Sequence, residues 1–205
     1  TYLTPRLFEP LEINDHDWEK SPDHLSVAGW GLRVKTEDIA KLGQLYLQKG
    51  RWNGKQILTE QWVADAGSEQ TVTSPGDSDW NKGYGYQFWR CKPGFFRGDG
   101  AFGQYCIVMP QHDAVLAVNS ESWDMQKQMT AMWDHLLPAM QQTSIAENEQ
   151  NLLQLKNDIS NLTLGVTKGS KTSSISAQTR KVKIAAAAND HKVTDIELNF
   201  YDDSC

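Results

Sequence analysis

Two apolar runs, residues 101–109 and 114–118, stand out in a chain that otherwise alternates short apolar stretches with polar loops. Neither run alternates strictly with polar residues, the pattern of strands covered on both faces, although periodicity alone also fits a buried helix. Between them Pro110-Gln111-His112-Asp113 supplies turn chemistry, because proline fixes its own φ and donates nothing to a ladder. The spacing predicts two central antiparallel strands, with Asp99-Gly100-Ala101 at the head of the first. Small residues there leave room for something to lie against the backbone.

The flanking segments predict helices and one further strand. Residues 1–11 read as a short helix, with Thr4-Pro5 at its start, Leu7 and Phe8 as anchors and Pro10 stopping it. Residues 36–50 form the clearest helix. Thr36 is its expected N-cap, Glu37 and Asp38 suit the positive end of the dipole, and Ile39, Leu42, Leu45 and Tyr46 make the buried stripe, with Gly50 as the stop. Asn53-Gly54 marks a tight hairpin turn, since both residues tolerate positive φ. Thr59 caps a second short helix carrying Trp62, Val63 and Ala66. After the polar loop 68–82 the period changes to two over residues 84–90, placing Tyr84, Tyr86 and Phe88 on one face of a strand. Residues 122–137 are helical up to Pro138, with Met125, Met129, Met132, Trp133, Leu136 and Leu137 forming a stripe that packs on the sheet.

Beyond residue 142 the composition shifts. The expected division is 1–142 as one domain and 143–205 as a linker followed by the start of a small β-rich domain. Leu152, Leu153 and Leu155 predict a short helix, and residues 169–180 are rich in Ser, Thr and Lys. Residues 181–187 and 193–201 form a hairpin around Asn189-Asp190-His191. The chain opens at Thr1 and ends at Asp202-Asp203-Ser204-Cys205 after a strand-like run, as expected of a piece of a longer protein.

Composition narrows the class. The 205 residues suffice for one sizeable core, and 39% hydrophobic residues with eight tryptophans describe a globular chain. A formal charge of −6 argues against nucleic acid, which requires clustered Lys and Arg. No run has the length of a membrane span. Cys91, Cys106 and Cys205 show no metal-ligand spacing, and the loop bearing Asp15, His16, Asp17, Asp23 and His24 reads as a solvated loop rather than a ligand set. Neither a metal nor a cofactor is expected.

The chain carries no catalytic engine of its own. No serine is followed by a lysine three residues on, and there is no Tyr-x-Asn, Tyr-x-Ser, Gly-x-Ser-x-Gly or His-Glu-x-x-His. Two sites remain open to two readings each. Trp30, with Gly31 beside it in Ala28-Gly29-Trp30-Gly31-Leu32, is a packed aromatic or a pocket wall, and Asp99 is a turn residue or a substrate contact.

Taken in order, Leu7-Phe8-Glu9-Pro10-Leu11, Gly29-Trp30-Gly31-Leu32, residues 38–47, Trp52-Asn53-Gly54-Lys55-Gln56-Ile57-Leu58, Tyr84-Gly85-Tyr86-Gln87-Phe88-Trp89 and residues 99–105 with Pro110 beyond resemble a known family. They are similar to the carboxy-terminal half of the serine β-lactamase-related family, in its branch of class C-like esterases and nylon-oligomer hydrolases. The resemblance covers residues 2 to about 140 and implies a mixed α/β (α+β) fold of the β-lactamase/transpeptidase type, an antiparallel sheet flanked by helices. It implies acyl transfer in which a serine, a lysine and a tyrosine from the missing amino-terminal half attack a small-molecule ester or amide. In this family's terms Gly100 and Ala101 supply one oxyanion-hole donor, the Ala101 backbone N–H, while Asp99, Phe102, Trp30 and Gly31 line the substrate site. The chain departs from the family's Lys-Thr-Gly or His-x-Gly, offering Gly98-Asp99-Gly100 instead, which disfavours a substrate carboxylate and favours neutral esters or amides. The same analogy implies a bacterial protein, exported to the periplasm or beyond as many relatives are, with a cytoplasmic location as the alternative. The alternative is a non-catalytic module holding cell-wall peptide or glycan on exposed aromatics.

Overall fold

The structure is a computed structural model that describes residues 2–141, 143–165, 180–189 and 191–200. The stretch 169–179, Asp190 of the expected hairpin turn, Tyr201 and Cys205 lie outside the described residues. The chain divides into two compact units, Thr1–Ile145 and Ala146–Cys205.

The first unit begins with a wide helical turn, Thr4–Phe8, that carries Pro5 in its first turn and buries Phe8. Strands β1 (Asp17–Trp18) and β2 (Leu32–Arg33) pair antiparallel. Helix α1 (Thr36–Leu47) follows; its N-cap is Lys35 in extended conformation, so Thr36 is the first helical residue rather than the cap. Strands β3 (Arg51–Trp52) and β4 (Lys55–Gln56) close around Asn53 and Gly54, at φ 45° and 78°, the turn that this dipeptide predicts. In α2 (Glu60–Gly67), Thr59 Oγ1 accepts from the Trp62 N–H at 3.1 Å, satisfying an otherwise orphaned donor as expected.

The main sheet is an antiparallel meander of β5 (Trp89–Arg90), β6 (Phe96–Gly100), β7 (Gln104–Met109) and β8 (Ala114–Val118), in that order. Pro110–His112 turns the chain between β7 and β8, with Asp113 left-handed at φ 47°. Register sorts the side chains into two faces. Phe96, Val108 and Val115 align on one, with Gly98, Cys106 and Ala117 beside them; Arg97, Ile107 and Leu116 align on the other, beside Asp99, Tyr105 and Val118. Helix α1 covers the first face, where Phe96 and Val108 pack with Ala66, Phe88 and Tyr46. Helix α3 (Met125–Ala131), continued by tighter and wider turns through Ala139, covers the second, where Met129 and Trp133 join Phe95, Tyr105, Ile107 and Met109. A sheet with helices on both faces is the architecture expected.

Three expectations are corrected. The first spine strand begins at Gln104, not Ala101, because Phe102 and Gly103 adopt positive φ (64° and 89°) and turn the chain back on the unforeseen strand β6. The central pair is therefore β6 and β7, with β8 at the edge of the described sheet. Residues 84–90 are not a continuous strand: Gln87 sits at φ 65°, the Gly85 N–H bonds Phe88 O at 2.7 Å, and only Trp89 and Arg90 join the sheet. Phe88 is buried while Tyr86 stacks outside on Trp62, so the two share no face. The expected helix 122–137 starts at Met125, capped by Asp124, whose Oδ1 accepts from the Lys127 N–H at 3.0 Å.

In the second unit, α4 (Glu149–Ser160) is capped by Asn148, and β9 (Lys181–Ala185) pairs antiparallel with β10 (Asp195–Asn199). Val182, Ile184, Ile196 and Leu198 share one side of this ribbon, and the Lys181–Glu197 and Lys183–Asp195 pairs (2.9 and 3.0 Å) lie on the other. Among the described residues no helix is long and apolar enough to cross a membrane.

Close approach of α1 to the sheet depends on Gly43, where a Cβ would stand 2.4 Å from Val115 Cγ1 and 2.9 Å from Cys106 Sγ. Gly43→Ala is expected to destabilise the protein in urea unfolding. Overpacking of about 1–3 kcal/mol outweighs the roughly 1 kcal/mol of helix propensity that alanine restores. A gain in midpoint would show that α1 is free to shift.

Candidate functional site

The β6–β7 turn is moulded by side chains from beyond β8. After the last ladder pair, Gly100 with Gln104, the residues Ala101, Phe102 and Gly103 reverse the chain. Ser120 Oγ lies 3.0 Å from Phe102 O and 2.7 Å from Gly103 O, donating its single proton between them, and accepts from Gln128 Nε2 at 2.8 Å. Gln104 Nε2 donates to Ser120 O and, at 3.3 Å, to Ala101 O, while its Oε1 accepts from the Ser120 N–H. The Ser122 N–H donates to Phe102 O at 2.9 Å. Glycine suits the φ of 89° at position 103, and a Cβ there would displace Gln128 Oε1 (2.0 Å) and Ser120 Oγ (2.6 Å) from their places.

Within this frame the Ala101 carbonyl is engaged and its N–H is not: Ala101 is exposed, and among the described residues neither its N–H nor that of Phe102 has an acceptor. The neighbouring edge is open too. Strand β5 reaches only Phe96 and Arg97, so among the described residues no strand borders the outer edge of β6 from Gly98 to Gly100. Gly100 is tightly placed, a Cβ there standing 3.0 Å from the Gln104 Cβ. Asp99 and Gly100 thus end strand β6, and Ala101 and Phe102 open the turn that follows it.

The Asp99 carboxylate does not face the opening. It is buried against Arg97, whose Nε donates to Asp99 Oδ2 at 3.0 Å while Nη2 sits 2.9 Å from the same oxygen without a well-aligned N–H. Arg97 is 0% exposed. Its Nη1 lies within 3.1–3.4 Å of Arg90 O, Asp79 O and Cys91 Sγ, and the guanidinium lies 4.6 Å over the Trp80 ring. Asp79, also fully buried, accepts from the Lys92 N–H (2.8 Å), Gln126 Nε2 (2.8 Å) and Trp133 Nε1 (3.0 Å). Sequence reading missed this cluster. Its signal was Arg97-Gly98-Asp99, since two charges two residues apart in a strand share a face.

Burial raises the Asp99 carboxyl above its ordinary value, opposed by the Arg97 guanidinium and the Trp80 side chain. Burial also pushes the Cys91 thiol to about 11, and the Cys106 thiol and Tyr105 phenol to about 12. These groups are neutral at physiological pH and poor nucleophiles.

Trp30 and Gly31 belong to a different place, the connection between β1 and β2. The Trp18 Nε1 donates to Trp30 O at 2.8 Å, and Gly31, at φ 75°, leaves no room for a Cβ against Glu19. Trp30 is 69% exposed, and no hydrogen bond, ion pair or ring contact joins it or Gly31 to the 99–102 turn. In the same region Asp15 pairs with Lys35 at 2.8 Å and Asp17 with Arg33. A cleft of about 910 Å³ bordered by Tyr46, Val63, Phe96 and Pro110 lies at the opposite end of the β6–β7 hairpin from the turn.

No protein-family model matches the chain, and no curated protein matches it. Among solved structures it is similar to a Bacillus anthracis protein provisionally assigned as a 6-aminohexanoate-dimer hydrolase. Identity there is 23% over 66% of this chain and 37% of that one, with a TM-score of 0.57. A Bacteroides dorei DSM 17855 protein provisionally assigned as a β-lactamase shows 16% identity over 62% and 49% of the two chains, with a TM-score of 0.45. The chain therefore spans 37% of the length of the first protein. That first likeness shows the fold, a mixed α/β arrangement of the β-lactamase type.

Arg97→Met leaves the Asp99 carboxylate buried without a counter-charge and is expected to destabilise by about 3–5 kcal/mol in chemical denaturation. The double variant R97M/D99L should recover a large part of that loss, and strict additivity of the two substitutions would deny the coupling. The pH dependence follows from the raised Asp99 pKa. Between the unfolded value near 3.8 and the higher folded value the native state holds the extra proton, so stability falls as pH rises through that window. Asp99→Asn should flatten this part of the stability–pH curve.

Proposed function

We propose that this chain is the carboxy-terminal part of a bacterial β-lactamase-related serine hydrolase of the class C-like esterase and nylon-oligomer hydrolase branch. In this reading it lends one oxyanion donor and one wall to an acyl-transfer site for a neutral ester or amide. The observation that supports it most directly is the unpaired, exposed Ala101 N–H, held on a turn whose carbonyls are all occupied.

A serine hydroxyl from outside the chain attacks the substrate carbonyl carbon, its proton passing to a lysine–tyrosine pair also supplied from outside. The carbonyl π electrons move onto oxygen, and the oxyanion accepts hydrogen bonds from the Ala101 N–H and from the serine's own N–H. Collapse expels the alcohol or amine, which takes up the proton, and water later releases the acid from the acyl-enzyme. Because the turn is fixed before substrate arrives, its donor needs no reorganisation as charge develops. Gly100, lacking a side chain, lets the carbonyl approach the backbone.

The test is made in the longer protein carrying an upstream Ser-x-x-Lys. Ala101→Pro deletes the N–H and should lower kcat about a hundred- to a thousandfold, whereas Ala101→Gly, which keeps it, should stay within a few-fold. A loss below about tenfold in a correctly folded Ala101→Pro variant, read against the losses typical of a deleted oxyanion donor, overturns the assignment. A serine-directed fluorophosphonate should label a residue upstream of Thr1, and labelling of any serine within residues 1–205 would do the same.

A further inference from the structure

The cleft of about 910 Å³ at the far end of the β6–β7 hairpin is bordered by a cation that the fold leaves without a counter-charge. Arg90 of β5 stands directly across the ladder from Phe96 of β6, so the two side chains leave the same face of the sheet with Cβ atoms roughly 5 Å apart. Both border the cleft, as do Gly67 and Gly94. Arg90 is partly buried; its Nη1 donates to Gly67 O at 2.7 Å and its Nη2 to Gly94 O at 2.8 Å. Among the described residues no carboxylate pairs with this guanidinium, so its partners are uncharged carbonyls. A cation drawn out of water is offset well only by an opposite charge.

The other charges of the cleft do not supply one. Glu60 is held by Lys49 at 2.8 Å, and Lys82 adds a cation that Asp77 reaches only at 3.6 Å. Glu69 is exposed and packs over Gly83, where a Cβ would stand 2.3 Å from its Oε2. The lining thus carries three cations, Lys49, Lys82 and Arg90, against two carboxylates, in a chain whose net charge is −6. Next to the guanidinium the surface is apolar. The Phe96 ring lies against the backbone of Gly67, where a Cβ would come within 3.0 Å of it, and Tyr46 and Val63 line the same space.

We propose that this cleft is a binding site for a small apolar monocarboxylate, its charged end on Arg90 and its hydrocarbon body on Phe96, Tyr46 and Val63. The site is independent of the Ala101 reading, which concerns the other end of the hairpin. With one N–H of each Nη engaged, the Nε–H and a second N–H on each Nη remain for a planar carboxylate, which accepts two parallel bonds. The hydrocarbon body leaves water as it covers the aromatic and aliphatic lining. A phosphate is disfavoured, since Glu60 and Glu69 repel its second charge and the apolar lining gives it no partner.

The test titrates the ¹⁵N-labelled 205-residue chain with cinnamate and with cinnamamide, which differ in charge but hardly in shape. Cinnamate should shift the Gly67, Gly94 and Phe96 amides and, read at those signals, bind about tenfold more tightly than cinnamamide. Arg90→Met should bring the two affinities within about twofold of each other. Because Arg90 also ties down Gly67 and Gly94, Ala64→Trp is the second variant. Ala64 is exposed on α2 at the border of the cleft, and an indole there should weaken cinnamate about tenfold with Arg90 in place. Equal affinities for the two ligands in the parent chain overturn the carboxylate assignment. Stillness of all three amides with cinnamate, or undiminished cinnamate binding in Ala64→Trp, overturns the site.

Discussion

The β6–β7 hairpin turns through position 103 at φ 89°, with side chains packed where a Cβ would stand, and that constraint organises much of the second face of the sheet. The space a Cβ would take at Gly103 is occupied by Gln128 of α3 and by Ser120 beyond β8. Gln128 donates to the Ser120 hydroxyl, which donates in turn to the turn carbonyls, so helix, strand end and turn close as one unit. Met129, next to Gln128 in α3, is fully buried among Tyr105 and Ile107. Apolar docking of the helix therefore also sets the position of the polar groups that mould the turn. The N–H groups that remain unpaired among the described residues of the turn, those of Ala101 and Phe102, are fixed by their neighbours rather than by bonds of their own.

A second constraint is electrostatic. A fully buried arginine and a fully buried aspartate lose their hydration, and only dense pairing offsets that loss. Arg97 gathers Asp99 and the carbonyls of Asp79 and Arg90, while Asp79 gathers N–H groups from Lys92, Gln126 and Trp133. The donors and acceptors come from the 79–81 turn, from β5, β6 and the loop between them, and from α3 and its continuation. Hydrophobic burial alone would tolerate sliding between these elements, because it has no direction. Directional charge-assisted bonds do not, so the cluster serves registration more than net stability.

These two constraints also explain what was legible in the chain. Asn53-Gly54, Thr59 and the ribbon around Asn189 were readable because local chemistry decides them. The covering of β7 and β8 on both faces was readable because it leaves uninterrupted apolar runs. Strand β6 was not, because Phe96-Arg97-Gly98-Asp99-Gly100 puts an ion pair where a core strand normally shows Val or Ile, and two glycines on the face towards α1. The period-two pattern at Tyr84, Tyr86 and Phe88 misled for the opposite reason. Its residues do alternate, but tertiary packing of Phe88 against Tyr46 and Phe96 bends the backbone through Gln87. Of the candidate site, the 99–102 turn was read as a strand head and proved a hairpin. Its proximity to Ser120, Gln128 and Trp123 depends on long-range register that no local signal carries.

Acyl transfer needs an attacking group and a base in hydrogen-bond reach of it. Among the described residues no serine hydroxyl is hydrogen-bonded to a lysine, histidine or tyrosine, and the Ser120 hydroxyl is committed to the turn. The buried thiols and the Tyr105 phenol hold their protons well above neutrality. What the turn offers, on the proposed reading, is the complementary part, an N–H donor for developing negative charge. On the proposed reading, a site divided in this way would assemble only when a segment carrying the nucleophile reached the open edge of β6, and catalytic competence and completion of the fold would be one event.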